Sequence, residues 1–196
     1  MGLIWMEEKL MALTKLNFGG KQQALVAANV PTLTGTQMPT GAVLQTQQVS
    51  VTDVFSTQSQ SYVDITGLTI SITPSSASNK ILITGALALG SSNYYIYVNL
   101  MRDSTEIAHG ATASNRPRMW LGTPYFGSSN DDYSLMIYSP NFLDSPNTTS
   151  AITYKCQMRT YDGSAYGYLN RTHQDRDNAH YEPRGRSNLT VQEIKG

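Results

Sequence analysis

Residues 62–89 constrain the fold more than any other part of the sequence. Across 68–72 every second residue is apolar and the residues between are Thr or Ser, the period of two expected of a half-buried strand. A polar turn sequence, PSSASN, follows at 74–79, and the alternation resumes across 81–89. Two such strands joined by a short turn predict a β-hairpin. Later segments repeat the pattern, so we expect one β-sandwich built outward from this hairpin.

The composition argues against several classes of partner. Only 14% of residues are charged, and 14 basic residues balance 14 acidic ones. A neutral chain has no long-range attraction to nucleic acid or to an anionic membrane. No apolar stretch approaches the roughly 20 residues that a membrane span needs. We therefore expect neither nucleic acid nor a membrane as a partner.

The single cysteine, Cys156, excludes an intrachain disulfide and fits assembly in a reducing cytoplasm. It lies between Tyr154 and Met158 on the apolar side of an alternating segment, residues 152–159. A nucleophilic cysteine needs an exposed, electropositive setting and a base. The pattern therefore predicts a buried structural cysteine.

The N-terminal region has a different pattern. Residues 1–16 have helical character, with Leu3, Met6, Leu10 and Leu13 on one stripe, and Gly19-Gly20 suits a helix end. A helix of this length is marginal alone, so either the sandwich or a partner must cover the stripe. The following residues, to position 41, read as an extended arm. We therefore predict a helix and docking arm at 1–41 and a β-sandwich domain at 42–196.

Several further segments of the sandwich domain are predicted strands, among them 43–51, 94–101 and 189–194. The segment 94–101 is apolar or aromatic on both faces, so we expect a second cover, either a neighbouring subunit or a long loop. Roughly eight to ten strands with turn signals between them predict an all-β fold, an antiparallel, jelly-roll-like sandwich, and not an α/β enzyme.

Two long loops carry the candidate binding residues. In the first, aromatic rings could stack on sugar rings while guanidinium groups bind hydroxyls or carboxylates; the alternative is that the aromatics cap the end of the sandwich. The second loop, 170–187, combines Arg and Tyr, which are favoured interface anchors. The candidates are Arg116, Arg118, Trp120, Tyr125 and Phe126 in the first loop, and His173, Tyr181, Arg184 and Arg186 in the second.

No metal, cofactor or catalytic site is expected. Asp175 and Asp177 do not continue into a calcium-loop sequence, and His173 and His180 lack zinc-site spacing. An interaction loop is therefore favoured over a metal site. The sequence contains no Gly-rich phosphate loop and no HExxH, GxSxG or CxxC motif, which argues against an enzyme.

Whole segments of the chain resemble a family of small phage virion proteins. These are SYVDITGLTISITPSSASNKILI, NLMRDSTEIA, FLDSPNTTSAITYKCQMRT and LTVQEIKG, with a similar lead-in, MALTKLNF…VPTLT…MPTGAVLQ. Such proteins are common in phages of cyanobacteria and other aquatic bacteria and are described as tail-fibre-like. The resemblance covers about residues 40–196. This sequence departs from it by ten residues before Met11, itself a plausible start, and by an expanded 170–187 loop.

The resemblance implies a non-enzymatic virion surface protein, tail-fibre-like, which oligomerises as a homotrimer in the host cytoplasm. Its arm would dock on another virion protein, and its loops would bind a host-surface glycan or protein. The alternative is a capsid decoration or cement protein bound to the major capsid protein. A cement role needs an arm that buries much apolar surface, whereas a trimeric fibre gains avidity from three tethers. The predicted docking residues are Leu3, Trp5, Met6, Leu10 and Leu13.

Overall fold

The computed structural model describes residues 15–18, 21–24, 34–35, 37–92, 94–125, 131–177 and 180–196. The chain divides into two compact units, Met1–Met38 and Pro39–Gly196. In the first unit, strands β1 (Lys15–Phe18) and β2 (Lys21–Ala24) pair antiparallel. No helix in the described ranges has the length and apolarity that crossing a membrane requires.

The N-terminal helix prediction is wrong for its last two residues, Lys15 and Leu16, which belong to β1. Leu16 and Phe18 alternate with polar residues, which is strand period, and a Gly-Gly pair suits a hairpin connection as well as a helix end. The extended arm predicted after position 16 is expected to have little structure of its own, but it contains the end of β1 and all of β2, which pair with each other. The rest of the helix, with Leu3, Trp5, Met6, Leu10 and Leu13, lies outside the described residues.

The second unit is an antiparallel β-sandwich, as the alternation predicts. The first sheet has the order β3-β14-β6-β13-β4, with β10 and β11 also paired to β6; the second has the order β5-β12-β7-β8, with β9 paired to β7. The strands are β3 (Val43–Val51), β4 (Phe55–Thr57), β5 (Val63–Ile72), β6 (Lys80–Ser91), β7 (Ile96–Arg102), β8 (Thr105–Ile107), β9 (Leu121–Gly122), β10 (Met136–Tyr138), β11 (Asn141–Asp144), β12 (Ile152–Thr160), β13 (Gly167–Leu169) and β14 (Ser187–Ile194), with a short 3-10 helix at Asp131–Tyr133.

Eight of these strands form a jelly roll. Strand β3 pairs with β14, β5 with β12, β6 with β11 and β7 with β8, so the pairs are nested like a long hairpin. Folding that hairpin over itself gives one sheet in the order β3-β14-β6-β11 and another in the order β5-β12-β7-β8. This arrangement confirms the jelly-roll-like prediction.

The predicted central hairpin is wrong, because β5 and β6 lie in different sheets. Strand β5 pairs with β12, and the polar connection at 74–79 carries the chain across to the other sheet. The alternation correctly identifies the buried face of each strand: Leu68 and Ile70 in β5 and Ile81 and Ile83 in β6 all lie in the core. It does not determine which strand pairs with which, since an inward-facing pattern is the same in either sheet.

Cys156 lies fully buried in this core, as predicted. The residues of β12 alternate strictly between buried and half-buried, and Cys156 shares the inner face with Tyr154 and Met158. Burial raises the pKa of the Cys156 thiol to about 12. At neutral pH it is therefore a protonated core side chain without nucleophilic character.

A buried carboxylate, Asp144, connects the two sheets. It projects from β11 in the first sheet and accepts two hydrogen bonds of 2.9 Å from Arg102 Nη1, at the end of β7 in the second. The hydroxyl of Tyr154, inside the core, donates to the same carboxylate at 2.7 Å. Burial, together with this carboxylate, raises the pKa of Tyr154 far above its ordinary value, so the phenol stays a donor.

A second buried carboxylate, Glu193, holds the crossing between the sheets. Its side chain accepts hydrogen bonds from Ser75 N (2.7 Å), Asn79 Nδ2 (2.6 Å) and Gln45 Nε2 (2.7 Å). The residue is 1% exposed. Burial alone would raise the pKa of Glu193, but these hydrogen bonds outweigh it and lower the pKa. Glu193 therefore fixes the 74–79 connection as an ion.

We expect Glu193→Gln to destabilise the protein by about 1–3 kcal/mol at pH 7, because charge-assisted hydrogen bonds become neutral ones. The folded-state pKa is lowered, so this stabilisation is present above the ordinary value of 4.5 and is lost as the pH falls through the folded pKa. Urea unfolding from pH 7 to pH 3 should show the two proteins converging in acid. Gln192→Glu, on the neighbouring residue, is the control, and a difference that does not change with pH would contradict an ionised Glu193.

We expect Cys156→Ser to lower the free energy of unfolding by about 1–3 kcal/mol, because a hydroxyl replaces a thiol in an apolar site. Cys156→Ala, which adds no polar group, should cost less than the serine variant. Urea unfolding measures both. Any ligand binding should persist in the folded variants, and its loss from a folded Cys156→Ser protein would give this residue a functional role.

Candidate ligand-binding surface

The two ends of the sandwich differ in what they carry. At the end that we call the base, Lys80 at the start of β6 lies opposite Ile194 near the C-terminus. The chain also enters the sandwich here, where Gly41 N donates to the Lys195 carbonyl at 2.8 Å. The 74–79 connection and its Glu193 hydrogen bonds lie at the same end.

The opposite end, the tip, is rich in tyrosine. Strand β6 reaches it at Ser91, which lies opposite Gly167 of β13. The tip carries the β12–β13 connection, residues 123–125 after β9, and the described residues of the β6–β7 connection and of the loop 170–186. All but Tyr138 and Tyr154 of the twelve tyrosines lie at this end: Tyr62, Tyr94, Tyr95, Tyr97, Tyr125, Tyr133, Tyr161, Tyr166, Tyr168 and Tyr181.

Four of these tyrosines form one partly exposed cluster. The ring centroid of Tyr94 lies 5.6 Å from that of Tyr125 and 5.8 Å from that of Tyr161. The ring of Tyr95 lies 5.8 Å from Tyr125 and 6.0 Å from Tyr161. Tyr95, Tyr125 and Tyr161 are 38%, 51% and 53% exposed. The rings thus support one another while keeping area open to solvent.

Arg159 extends this cluster across the sheet. It points outward from β12, since Met158 and Thr160 on either side are buried, and it lies opposite Tyr97 of β7. Its guanidinium carbon lies 4.6 Å from the ring centroid of Tyr97 and 5.3 Å from that of Tyr62. We call these seven residues the tyrosine–arginine surface: Tyr62, Tyr94, Tyr95, Tyr97, Tyr125, Tyr161 and Arg159.

The two rings that hold Arg159 are uncharged donors at neutral pH. Burial is the main cause that raises the pKa of Tyr62 and of Tyr97. Arg159 opposes it without reversing it, by a hydrogen bond and its charge at Tyr62 and by its charge at Tyr97. The Tyr62 hydroxyl donates to the Arg118 carbonyl at 3.1 Å. The loop that follows β8 is therefore tied to this face of the second sheet.

Strand β7 is buried on both faces within the single chain, as expected from its composition. Its outward-facing Tyr97 and Asn99 are 8% and 2% exposed. The predicted second cover is either a neighbouring subunit or a long loop. Residues of the same chain bury this face, so the strand is not evidence for a subunit interface. Asn99 Oδ1 has no hydrogen-bond partner among the described residues. Asn99 is on the same face of β7 as Tyr97, the face to which the loop after β8 is tied.

The predicted residues of the first loop have different roles. Trp120 Nε1 donates to the Asn141 carbonyl at 3.3 Å, and the ring packs against the core, so the capping alternative is correct for this residue. Arg118 bonds His109, and Arg116 is exposed. Tyr125 joins the tyrosine–arginine surface. Phe126 lies outside the described residues.

The second loop is anchored by Asn170, which is fully buried and has a positive φ of 63°. Its Nδ2 donates to the carbonyls of Val51 (2.8 Å) and Asp53 (2.9 Å), and its Oδ1 accepts from Ser187 Oγ at 2.7 Å. Ala88 of β6 lies between the end of β13 and the start of β14; its carbonyl accepts from Asn170 N, and its N–H donates to Ser187 Oγ. Asn170 and Ser187 thereby hold the two ends of this loop together.

Ion pairs and ring contacts join further described residues of this loop. Arg184 and Arg171 both pair with Asp175, and Arg176 pairs with Glu182. The other predicted residues are similarly engaged: His173 Nδ1 lies 2.8 Å from the Tyr168 hydroxyl, Tyr181 packs edge-on against Tyr133, and Arg186 bonds Ser50 Oγ. In the described ranges no three His, Cys, Asp or Glu side chains are grouped to hold a metal ion.

Sequence reasoning identified only Tyr125 of the tyrosine–arginine surface. The signal for the others is present as tyrosines and an arginine at outward positions just beside a turn: Tyr95 and Tyr97 at the start of β7, and Arg159 and Tyr161 at the end of β12. Recognising them as one site requires knowing that β7 and β12 are neighbours.

No protein-family model matches this sequence, and no curated protein matches it. Among solved structures, the chain is similar to that of the infectious bursal disease virus VP2 subviral particle, with a TM-score of 0.37 and 13% identity. The match covers 84% of this chain and 42% of that one, so this chain spans less than half the length of that protein. A likeness of this degree supports no conclusion about function or assembly.

We expect Asn170→Ala to destabilise the protein by about 2–4 kcal/mol, because it removes three side-chain hydrogen bonds, two of them buried, and places alanine at a left-handed φ. Protease cleavage within 171–186 should also become faster than in the parent protein. Asn188→Ala, on the outer side of β14, should change stability by less than about 0.5 kcal/mol. Urea unfolding and timed proteolysis measure both, and equal effects at the two positions would contradict the anchoring role.

Proposed function

We propose that this protein is a non-enzymatic bacteriophage virion surface protein, tail-fibre-like, docked on the particle by its N-terminal arm. The observation that carries the proposal is the separation of the two ends of the sandwich. The chain enters at the base, beside Lys195, whereas the tyrosine–arginine surface lies at the tip. A particle that lies at the base, where the chain enters the sandwich, would leave the tip directed away from it.

The sequence resemblance to phage virion proteins is the other support for this function. It covers the sandwich and its lead-in, and the jelly roll is a fold that viral capsid proteins also use. Fold alone does not define a function, so the resemblance and the position of the surface carry the proposal together. On this proposal the protein is assembled in the host cytoplasm and is located on the virion.

The proposed assembly is a homotrimer, which follows from the resemblance. Three arms on one oligomer would dock together and gain avidity without a large contact for each arm. At the tip, the same symmetry would present three tyrosine–arginine surfaces to a host-surface glycan or protein. Weak single-site binding would then be sufficient for attachment to a cell that displays many copies of the ligand.

A capsid decoration or cement protein is the second candidate. It is favoured by the size of the N-terminal unit, Met1–Met38, which is compact in its own right and includes the β1–β2 hairpin. A two-stranded hairpin gains stability when another surface covers it, and a shell protein would supply such a surface. In this candidate, the sandwich reinforces the head and need not recognise a host.

Antibody labelling of intact particles separates the two candidates. The antibody is raised against residues 170–187, a loop at the tip of the sandwich. Viewed by electron microscopy, label confined to the tail would support the tail-fibre-like function. Label over the whole head would support decoration instead, and label on neither would reject both.

We expect deletion of residues 1–38 to leave the sandwich folded but to abolish its incorporation into particles. The deletion ends at the boundary between the two compact units and leaves the Gly41–Lys195 hydrogen bond in place. Circular dichroism tests the fold, and immunoblotting of purified particles tests incorporation. The double variant Arg184→Ala, Arg186→Ala changes only the tip and should incorporate normally. A folded deletion variant present at parental occupancy would overturn docking by the arm.

A further inference from the structure

We propose that the tyrosine–arginine surface is a binding subsite for an acidic saccharide. A pyranose ring would stack on the exposed tyrosines, and its carboxylate would pair with Arg159. This deepens the proposed function by naming the ligand class, and it rests on that function only for its biological setting. Binding itself is a property of the surface and can be tested without a particle.

The environment of Arg159 indicates an anionic ligand. The residue is half-buried, and it makes no ion pair within the described part of the chain. Its hydrogen bonds there are all to neutral groups: long ones from Nη1 to the carbonyls of Gln60 (3.5 Å) and Thr160 (3.4 Å), and one with the side chain of Tyr62. By contrast, Arg102, Arg171, Arg176 and Arg184 all pair with carboxylates. A desolvated guanidinium with unused donors is suited to a carboxylate from outside the protein.

The orientation of Arg159 is fixed before any ligand binds. The guanidinium carbon lies 4.6 Å from the ring centroid of Tyr97 and 5.3 Å from that of Tyr62. Tyr97 is on β7 and Tyr62 immediately precedes β5, and both of these strands pair with β12, which carries Arg159. Holding a long side chain in one geometry removes most of the entropy cost of ordering it on binding. The two rings thus pre-organise the charge.

The exposed tyrosines adjoin this charge and provide the area for a sugar ring. Tyr95 stacks against Tyr97 with ring centroids 6.3 Å apart, and Tyr97 in turn contacts Arg159. Tyr125 and Tyr161 each expose about half of their surface beside Tyr95. An aromatic face stacks on the apolar face of a pyranose, and phenolic hydroxyls can bond its hydroxyl groups.

Nearby carboxylates do not neutralise Arg159. Asp64 is bound by Lys155 Nζ and Gln157 Nε2, both at 2.7 Å. Asp162 Oδ1 accepts from the backbone and hydroxyl of Ser164 in its own turn. Glu106 is close enough to Tyr62 to affect its titration, yet it makes no ion pair with Arg159. The surface therefore presents one uncompensated positive charge beside aromatic rings.

The test compares trigalacturonate with its fully methyl-esterified form, which keeps the sugar rings and removes the charges. The full-length protein is titrated by calorimetry and by saturation-transfer NMR; 3′-sialyllactose and trimannuronate serve as further acidic probes. We expect at least one acidic probe to bind and to transfer saturation from tyrosine protons. If trigalacturonate is the one that binds, its methyl ester should bind at least about tenfold more weakly, the factor expected for losing a charge-assisted hydrogen bond.

Variants then assign the binding to particular side chains. Arg159→Gln should weaken acidic probes by about tenfold or more and remove their advantage over neutral ones, whereas Arg159→Lys, which keeps the charge without the planar fork, should retain part of the affinity. Tyr161→Ala should weaken acidic and neutral probes alike. Lys80→Gln is the control, since it removes one positive charge from an exposed position at the base, the end opposite this surface, and should change nothing. Thermal unfolding checks that each variant is folded.

Three outcomes would overturn the proposal. They are failure of every acidic probe to bind at millimolar concentration, binding of trigalacturonate that is no tighter than binding of its ester, and equal loss of affinity in Lys80→Gln and Arg159→Gln. The antibody labelling of particles is independent of these binding results. Failure of the subsite proposal can therefore be told apart from failure of the virion proposal.

Discussion

The pairing of β6 on both of its edges is the constraint on which the rest of the sandwich depends. Strands β14 and β11 flank its first half, and β13 and β10 flank its second half. Ala88 lies between the part of β6 that pairs with β13 and the part that pairs with β14. Its carbonyl accepts a hydrogen bond from Asn170 N, and its N–H donates to Ser187 Oγ. A break in a buried ladder leaves polar groups without partners, and side chains close it here. The loop 170–186 therefore leaves and rejoins the sheet at one fixed point, which places it at the tip.

The two ends of the sandwich carry charged groups of two kinds. At the base, Glu193 and Asp144 are buried and hydrogen-bonded, so their charges hold the connections and the two sheets together. At the tip, Arg159 is held by aromatic rings without a carboxylate partner in the described ranges. A charge that is satisfied internally stabilises the fold, whereas one that is positioned but unpaired is available to a ligand. This difference is why the tip, and not the base, is the candidate site.

The sequence predicts the fold class well because alternation reports burial directly: β3 has the bounds predicted, and the inward residues of β6 and β12 are correct. It fails on pairing, since the short connection at 74–79 resembles a hairpin turn although β5 and β6 lie in different sheets. The site shows the same limit. Tyr125 stood out in a loop, but Arg159 and Tyr97 belong to separate strands and become neighbours only through the β7–β12 register. For Trp120 the sequence leaves ligand contact and capping as alternatives, because an aromatic in either role has the same local sequence, and the packing of its ring against the core decides for capping.

The tyrosine–arginine surface is built mostly from the ends of strands, and this affects how it can bind. Tyr97 and Arg159 stand on paired strands, so their separation is set by backbone hydrogen bonds and not by loop conformation. Tyrosine adds area with few rotatable bonds, which keeps the entropy cost of binding small. A site of this kind gains little from closing around a ligand and depends on shape and charge already in place. Affinity at one surface would then be modest, and repetition of the surface within an oligomer is the physical route by which such a site could hold a particle to a cell.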